Sequence, residues 1–313
     1  MGTIESSGST PHKQHVVSKV ILKQFVDRNG NVTVFDFRSG TSSLRTPSQI
    51  GYVEDFVSAD EAKAEATWSA IETHVPDLLD AINCRSSSVF GELRHIGTDL
   101  IALHLARSIT RQQIHPEVRE RALQQSTDML LTDESFLAER FHARTGLYVQ
   151  GREGLRIQAE LELSLLRTSV DVPEFFTHRV LDNFTEMKTA FRRSSLEILS
   201  SASTPRQFLI ADDPAVSIKK NYRGLGPLSG VSIGEASTIV LPISPEYCLA
   251  LGPQDAFHDL SARDVEFLNR IQLSYAHNRV YFSSAEAQQK HCERALELRG
   301  RGTRDPIAIL LDR

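Results

Sequence analysis

Three groups of residues in this 313-residue chain have types and spacings that could do chemistry. The first is His12-x-x-His15 beside Lys13, with Lys19 and Lys23 following. An imidazole can serve as general base near neutral pH and ammonium groups contact phosphate oxygens, so the segment suits chemistry on a phosphate ester; a solvated basic helix behind a polar tail explains the same letters. The second group lies on two apolar helical stripes. His104 and Arg107 share a face with Leu93, Ile96 and Leu100, while Glu65 and Glu72 share one with Trp68 and Val75, because residues three, four and seven apart stack on a helix. Ionised groups on such a face must be paired or hydrogen-bonded. Glu72 with Arg107 is the expected pair, either an ion pair that sets the register of two helices or, with His104, part of a ligand site. The third group is Asp212-Asp213-Pro214 at the end of an apolar strand. Two adjacent carboxylates could bind a divalent cation or position a water for attack, and one of them could equally cap the turn. His15, Asp212 and Asp213 are therefore the candidate catalytic residues. Lys23, Glu72, His104, Arg107 and Ser244 are candidate ligand contacts. A divalent cation is a candidate cofactor whose identity the letters do not specify.

Other familiar patterns fail. Gly224-Leu225-Gly226-Pro227 lacks a third glycine in register, and Pro227 stands where a phosphate cradle needs the start of a helix, so a dinucleotide fold is rejected. The P-loop, H-E-x-x-H and G-x-S-x-G patterns do not occur. Cys84, Cys248 and Cys292 are odd in number and far apart, which argues against a disulfide framework or a C-x-x-C redox pair. Asn183-Phe184-Thr185 matches the glycosylation pattern, without consequence in the reducing cytoplasm that is the expected location.

The elements that must position these residues follow from periodicity. After a polar segment, residues 1–14, read as a flexible tail rather than a signal peptide, a short helix carries Val17, Val20, Ile21 and Phe25 to the stop at Asn29-Gly30. The strand NVTVFDFRSG then places Val32, Val34 and Asp36 on one side and Thr33, Phe35 and Phe37 on the other, and is expected at a sheet edge. From about 60 to 201 the period becomes 3.6. This helical layer includes a helix kinked at Pro76, a second from about Gly91 stopped by Pro116, and a long one from Asp171 that fades near Ser200. Strands resume from about 205 to 284: FLIADDPAV, the hairpin STIVLPISPEYCLALGP and VYFS, with a helix from Ser261 to about Asn278 before the last. The glycine-rich KKNYRGLGPLSGVSIGEAS is read as a long loop, and residues 285–313 as a terminal helix and tail. The expected architecture is one α+β domain over 15–284, its helical layer inserted between an N-terminal strand and C-terminal strands that share one small sheet.

Composition bounds the function. With 35 Lys plus Arg against 40 Asp plus Glu the formal net charge is −5, which argues against a strongly basic nucleic-acid coat. No apolar stretch approaches the roughly 20 residues of a membrane span, so no membrane partner is expected.

The segments HVVSKVILKQF and VTVFDFRSG, the helices bearing Glu72 and Arg107, FLIADDPAV and TIVLPISPEYCLAL together resemble the bacterial domain-of-unknown-function family 4238 over most of residues 12 to 285. Ser18 stands where that family usually shows Pro, and Val20-Ile21 where an aromatic is usual. The resemblance puts weight on His15, Glu72, Arg107, Asp212, Asp213, Pro214, Pro242 and Ser244 and implies no established activity. Two functions are carried forward. One is phosphodiester chemistry, such as a nuclease of a defence or toxin system acting on nucleic acid or another phosphate-containing ligand. The other is a non-catalytic protein that binds a protein partner and keeps its buried charges as structural ion pairs.

Overall fold

A computed structural model describes residues 13–57, 61–132, 134–148, 151–170, 173–219, 233–283 and 286–300. Most of the glycine-rich segment and both terminal tails lie outside the described residues.

The fold is α+β. β1 (Lys13–His15) and β4 (Tyr52–Glu54) form a two-stranded antiparallel ribbon that sets His15 opposite Tyr52. Between them come α1 (Lys19–Leu22) and the hairpin of β2 (Val32–Asp36) with β3 (Thr41–Arg45). β2 also pairs with β11 (Arg279–Phe282), which pairs with the short β6 (Ile210–Ala211), giving the order β3-β2-β11-β6. The N-terminal strand therefore does join C-terminal ones, but β2 is interior and the fully exposed β3 forms the edge. The alternation explains why: Val32 and Val34 enter one apolar core while Phe35 and Phe37 enter a second, so both faces of β2 are covered.

The remaining C-terminal strands do not share that sheet. β5 (Ser195–Ser200), β7 (Val216–Ile218), β8 (Thr238–Pro242), β9 (Tyr247–Gly252) and β10 (Ala256–Asp259) form a second sheet in the order β10-β5-β9-β8-β7, antiparallel except for the β5–β10 pair. Strand structure thus begins at 195 rather than 205. The helical spacing of Phe184, Met187 and Phe191 ends at a short turn, after which Leu196 and Ile198 are buried with period two.

The helices are α2 (Glu61–Glu72), α3 (Val75–Asn83), α4 (Arg94–Ala106), α5 (Ile109–Thr132), α6 (Glu134–Thr145), α7 (Arg152–Val170), α8 (Pro173–Phe191), α9 (Ala262–Tyr275) and α10 (Glu286–Gly300). Pro76 separates α2 from α3 by standing in the first turn of α3, where its missing N–H costs nothing. From Ile96 to Ala106 every residue of α4 is buried, as expected of a helix enclosed on all sides. It packs on the second sheet and against α2 and α8. Gly97 permits that approach, since a Cβ there would lie 2.7 Å from Leu196 Cδ2. The break after α4 falls at Arg107-Ser108, and Pro116 sits inside α5. Among the described residues no helix is long and apolar enough to cross a membrane.

Candidate functional site

On α2 Trp68 is turned inward, and Glu72, one turn on at the end of the helix, reaches the rim of the core, where it meets Arg107 at the C-terminus of α4; Val75, expected on the same helix, starts α3 instead. Arg107 Nη2 donates to Glu72 Oε1 at 2.8 Å and to Ser18 Oγ at 2.7 Å, and Ser18 Oγ donates to the same Glu72 oxygen at 2.6 Å. The three groups close a triangle just before α1. Arg107 is 3% exposed against 24% for Glu72, so the carboxylate is the member that reaches the surface. The guanidinium also lies over the Trp68 ring at 5.1 Å, a cation–π contact. Burial alone would raise the Glu72 pKa; the charge of Arg107 and hydrogen bonds from Ser18 and Arg107 outweigh it and hold the carboxyl below its ordinary value.

His104 stands behind this triangle. Its Nδ1 faces the Leu100 carbonyl at 2.9 Å, and its Nε2 accepts the backbone N–H of Ser18 at 3.2 Å. These partners require the neutral Nδ1–H tautomer. Burial, reinforced by Arg107, pushes its pKa down to about 3. His104 therefore ties α4 to the start of α1 and has no nitrogen left for a ligand.

His15 is different. Burial lowers its pKa; the Glu72 charge opposes that shift, while Arg107 and Lys19 add to it. Its Nε2 is buried and has no hydrogen-bond partner. Arg107 Nε and Trp68 Nε1 are likewise buried without partners. Each such atom costs about 1–3 kcal/mol unless something meets it. Three of them belong to the residues around one ion pair.

The remaining candidates do not join this cluster. Asp212 accepts the N–H groups of His277, Asn278 and Arg279 at 2.7, 2.8 and 3.0 Å, which anchors the start of β11; burial raises its pKa against the pull of those amides. Asp213 Oδ2 accepts Ser108 Oγ, Thr110 Oγ1 and Thr110 N at 2.7, 2.6 and 3.1 Å, so this carboxylate sits on the N-terminus of α5, where the helix dipole favours it. Its other oxygen is buried and unpartnered. His277 Nε2 approaches Thr110 Oγ1 at 2.8 Å and Asp213 Oδ2 at 3.6 Å. Ser244 Oγ accepts from Glu246 N and Tyr247 N, a turn-forming role between β8 and β9. Lys23 is exposed beyond α1, Pro242 ends β8, and the Pro214 carbonyl accepts from Gln272. Among the described residues no three His, Cys, Asp or Glu side chains converge as metal ligands.

Sequence spacing brings out Glu72, His104, Arg107 and Trp68 but not Ser18, Ser108, Thr110 or His277. Ser108 carries a legible signal, a serine at a helix start whose Oγ accepts the Arg111 N–H, obscured because the apolar period runs on unbroken towards Pro116.

The arrangement defines an α+β protein with a buried polar cluster where α2, α4 and the N-terminal segment meet. A family model described as a protein of unknown function, DUF4238, matches residues 13–286, and the chain belongs to that family. No curated protein and no solved structure matches it.

Proposed function

We propose that the protein is an enzyme of phosphodiester chemistry, with nucleic acid as the first substrate class and His15 as the proton acceptor. The observation that carries this reading is the unpartnered Nε2 of His15, a ring kept neutral by burial and by the charges of Arg107 and Lys19. In the step this supports, Nε2 removes the proton of an attacking hydroxyl as its oxygen bonds to phosphorus and the opposite P–O bond breaks. The imidazolium then returns the proton to the leaving oxygen. The Arg107 Nε–H faces the charge that grows on the non-bridging oxygens. Glu72 holds Arg107 in place and offsets the positive charge that His15 acquires. The Asp212-Asp213 pair, nominated above for a metal, supports the fold through α5 and β11 in this reading.

The test is turnover of single-stranded RNA, single-stranded DNA and bis(p-nitrophenyl) phosphate. His15→Ala, with an unchanged circular dichroism spectrum, should lower the rate by about 10²–10⁴-fold. The acid limb of the rate should lie below pH 6.5, since burial lowers the His15 pKa from that value. Absence of turnover with all three diesters, or a rate that His15→Ala leaves intact, defeats the reading.

One observation favours a protein-binding role instead. Ile157, Leu161 and Leu165, spaced by four on α7, are 58%, 48% and 50% exposed. Helical residues at that spacing form one stripe, and a solvent-facing apolar stripe suits a partner. Sedimentation of the wild type above the mass of one chain, reduced by Leu161→Glu, would favour this second role.

A further inference from the structure

A cleft of about 130 Å³ lies between α5 and α8, separate from the His15 cluster. Its polar lining comprises Arg111, His115, Arg179 and Asn183, and its apolar wall includes Ile114 and Phe176. Among the described lining residues none is acidic. Arg111 is the telling member. It is half-buried, its guanidinium approaches the Met187 thioether, with Nη2 3.7 Å from Sδ, and among the described residues Asp213 attracts it without forming a salt bridge. A guanidinium drawn out of water needs an anion to offset its desolvation, and a thioether is a weak acceptor. His115 adds an imidazole whose ring touches Phe176 at 5.0 Å between centroids, in a positive field from Arg119 and Arg179. Arg179 is exposed at the mouth.

We propose that this cleft binds a phosphoryl group, presented as the monoester of a small apolar or aromatic body. Two guanidinium forks, an amide and an imidazole offer more donors than the two oxygens of a carboxylate use. The three terminal oxygens of a phosphate monoester match them, and arginine forks fit phosphate geometry in pairs of bonds. The volume corresponds to roughly four waters, enough for the phosphoryl head. The attached body would lie along Phe176 and the exposed Val118. The site stands apart from the diester chemistry assigned to His15 and does not depend on it.

Calorimetric titration of the full chain with inorganic phosphate and with phenyl phosphate, at fixed ionic strength with chloride as control, tests the assignment. Saturable binding is expected, tighter for phenyl phosphate. Arg179→Gln, an exposed change that spares the fold, and Arg111→Lys, which keeps the charge but removes the fork, should each weaken it about tenfold. His15→Ala should leave it unchanged, so failure of the diester reading and failure of this site are told apart. The assignment is overturned by no saturable binding of either probe, by binding that both arginine variants leave unaltered, or by binding that disappears in His15→Ala.

Discussion

At the scale of single residues the two histidines near Arg107 carry opposite assignments, and their hydrogen bonds decide which is which. His104 has both nitrogens engaged inside the core, whereas His15 keeps one free. The engaged one controls stability against acid. Its pKa is about 3 in the fold against 6.5 in the unfolded chain. Between those values the unfolded chain holds a proton that the native state refuses. The stability contributed by neutral His104 is therefore complete above about pH 6.5 and is lost progressively as pH falls towards 3, at up to about 1.4 kcal/mol per pH unit. Glu72, held below its ordinary value, acts in the same direction. Melting temperatures from pH 7.5 to 5 should fall, and His104→Gln should flatten the slope; an unaltered slope would move the effect to other groups. The Glu72–Arg107 pairing is legible in the sequence because helical spacing alone turns both side chains towards the same core. The part played by Ser18 is not, since no periodicity reports where a hydroxyl just before a four-residue helix will point.

At the scale of elements the junctions carry the polar chemistry. The turn from α9 to β11 is held from both sides. Asp212 accepts its three amides, while Arg299, stacked on Phe37 at 3.7 Å, donates to the carbonyls of Leu273, Ala276 and His277. This is how the orphan carbonyls at a helix end and the first amides of an inner strand are both satisfied. Asp212→Ala would leave those amides without acceptors at a cost of about 3 kcal/mol or more. Hydrogen exchange at 277–279 should then accelerate ahead of that in the second sheet, and uniform acceleration would show that the clamp is not local. The helices of α4 and α5, the β8–β9 hairpin and β11 are visible as patterns of period 3.6 or 2. What the patterns misplace are the boundaries. Pro116 reads as a stop, yet it lies inside a helix that starts at Ile109, capped by Ser108, which is held in turn by Asp213 from far along the chain. A long-range carboxylate is invisible to any local window.

At the scale of the whole molecule, β2 joins two apolar cores. Val32 and Val34 pack with Trp68, α4 and the second sheet, while Phe35 and Phe37 pack with α9, α10 and β11. Alternation along a strand with both faces buried cannot by itself reveal whether one core or two lie beyond it, nor how later strands divide between sheets. The consequence is mechanical: either core can be lost independently only if β2 leaves both the β3 and β11 ladders. The chain should therefore unfold as one cooperative unit, and the single tryptophan tests this, since Trp68 is buried in the first core and is not part of the second. Phe35→Ala removes a ring from the second core at a cost of about 3–5 kcal/mol. Under one transition, Trp68 fluorescence and far-ultraviolet circular dichroism should shift to the same lower midpoint. If the fluorescence midpoint stays at the wild-type value while the dichroism moves, the second core melts alone and β2 does not couple them. Coupling matters for the site as well. Ser18 reaches Arg107 on the N-terminal segment that leads into β2, so a loosened second core would release it and weaken the polar cluster without touching any of its residues.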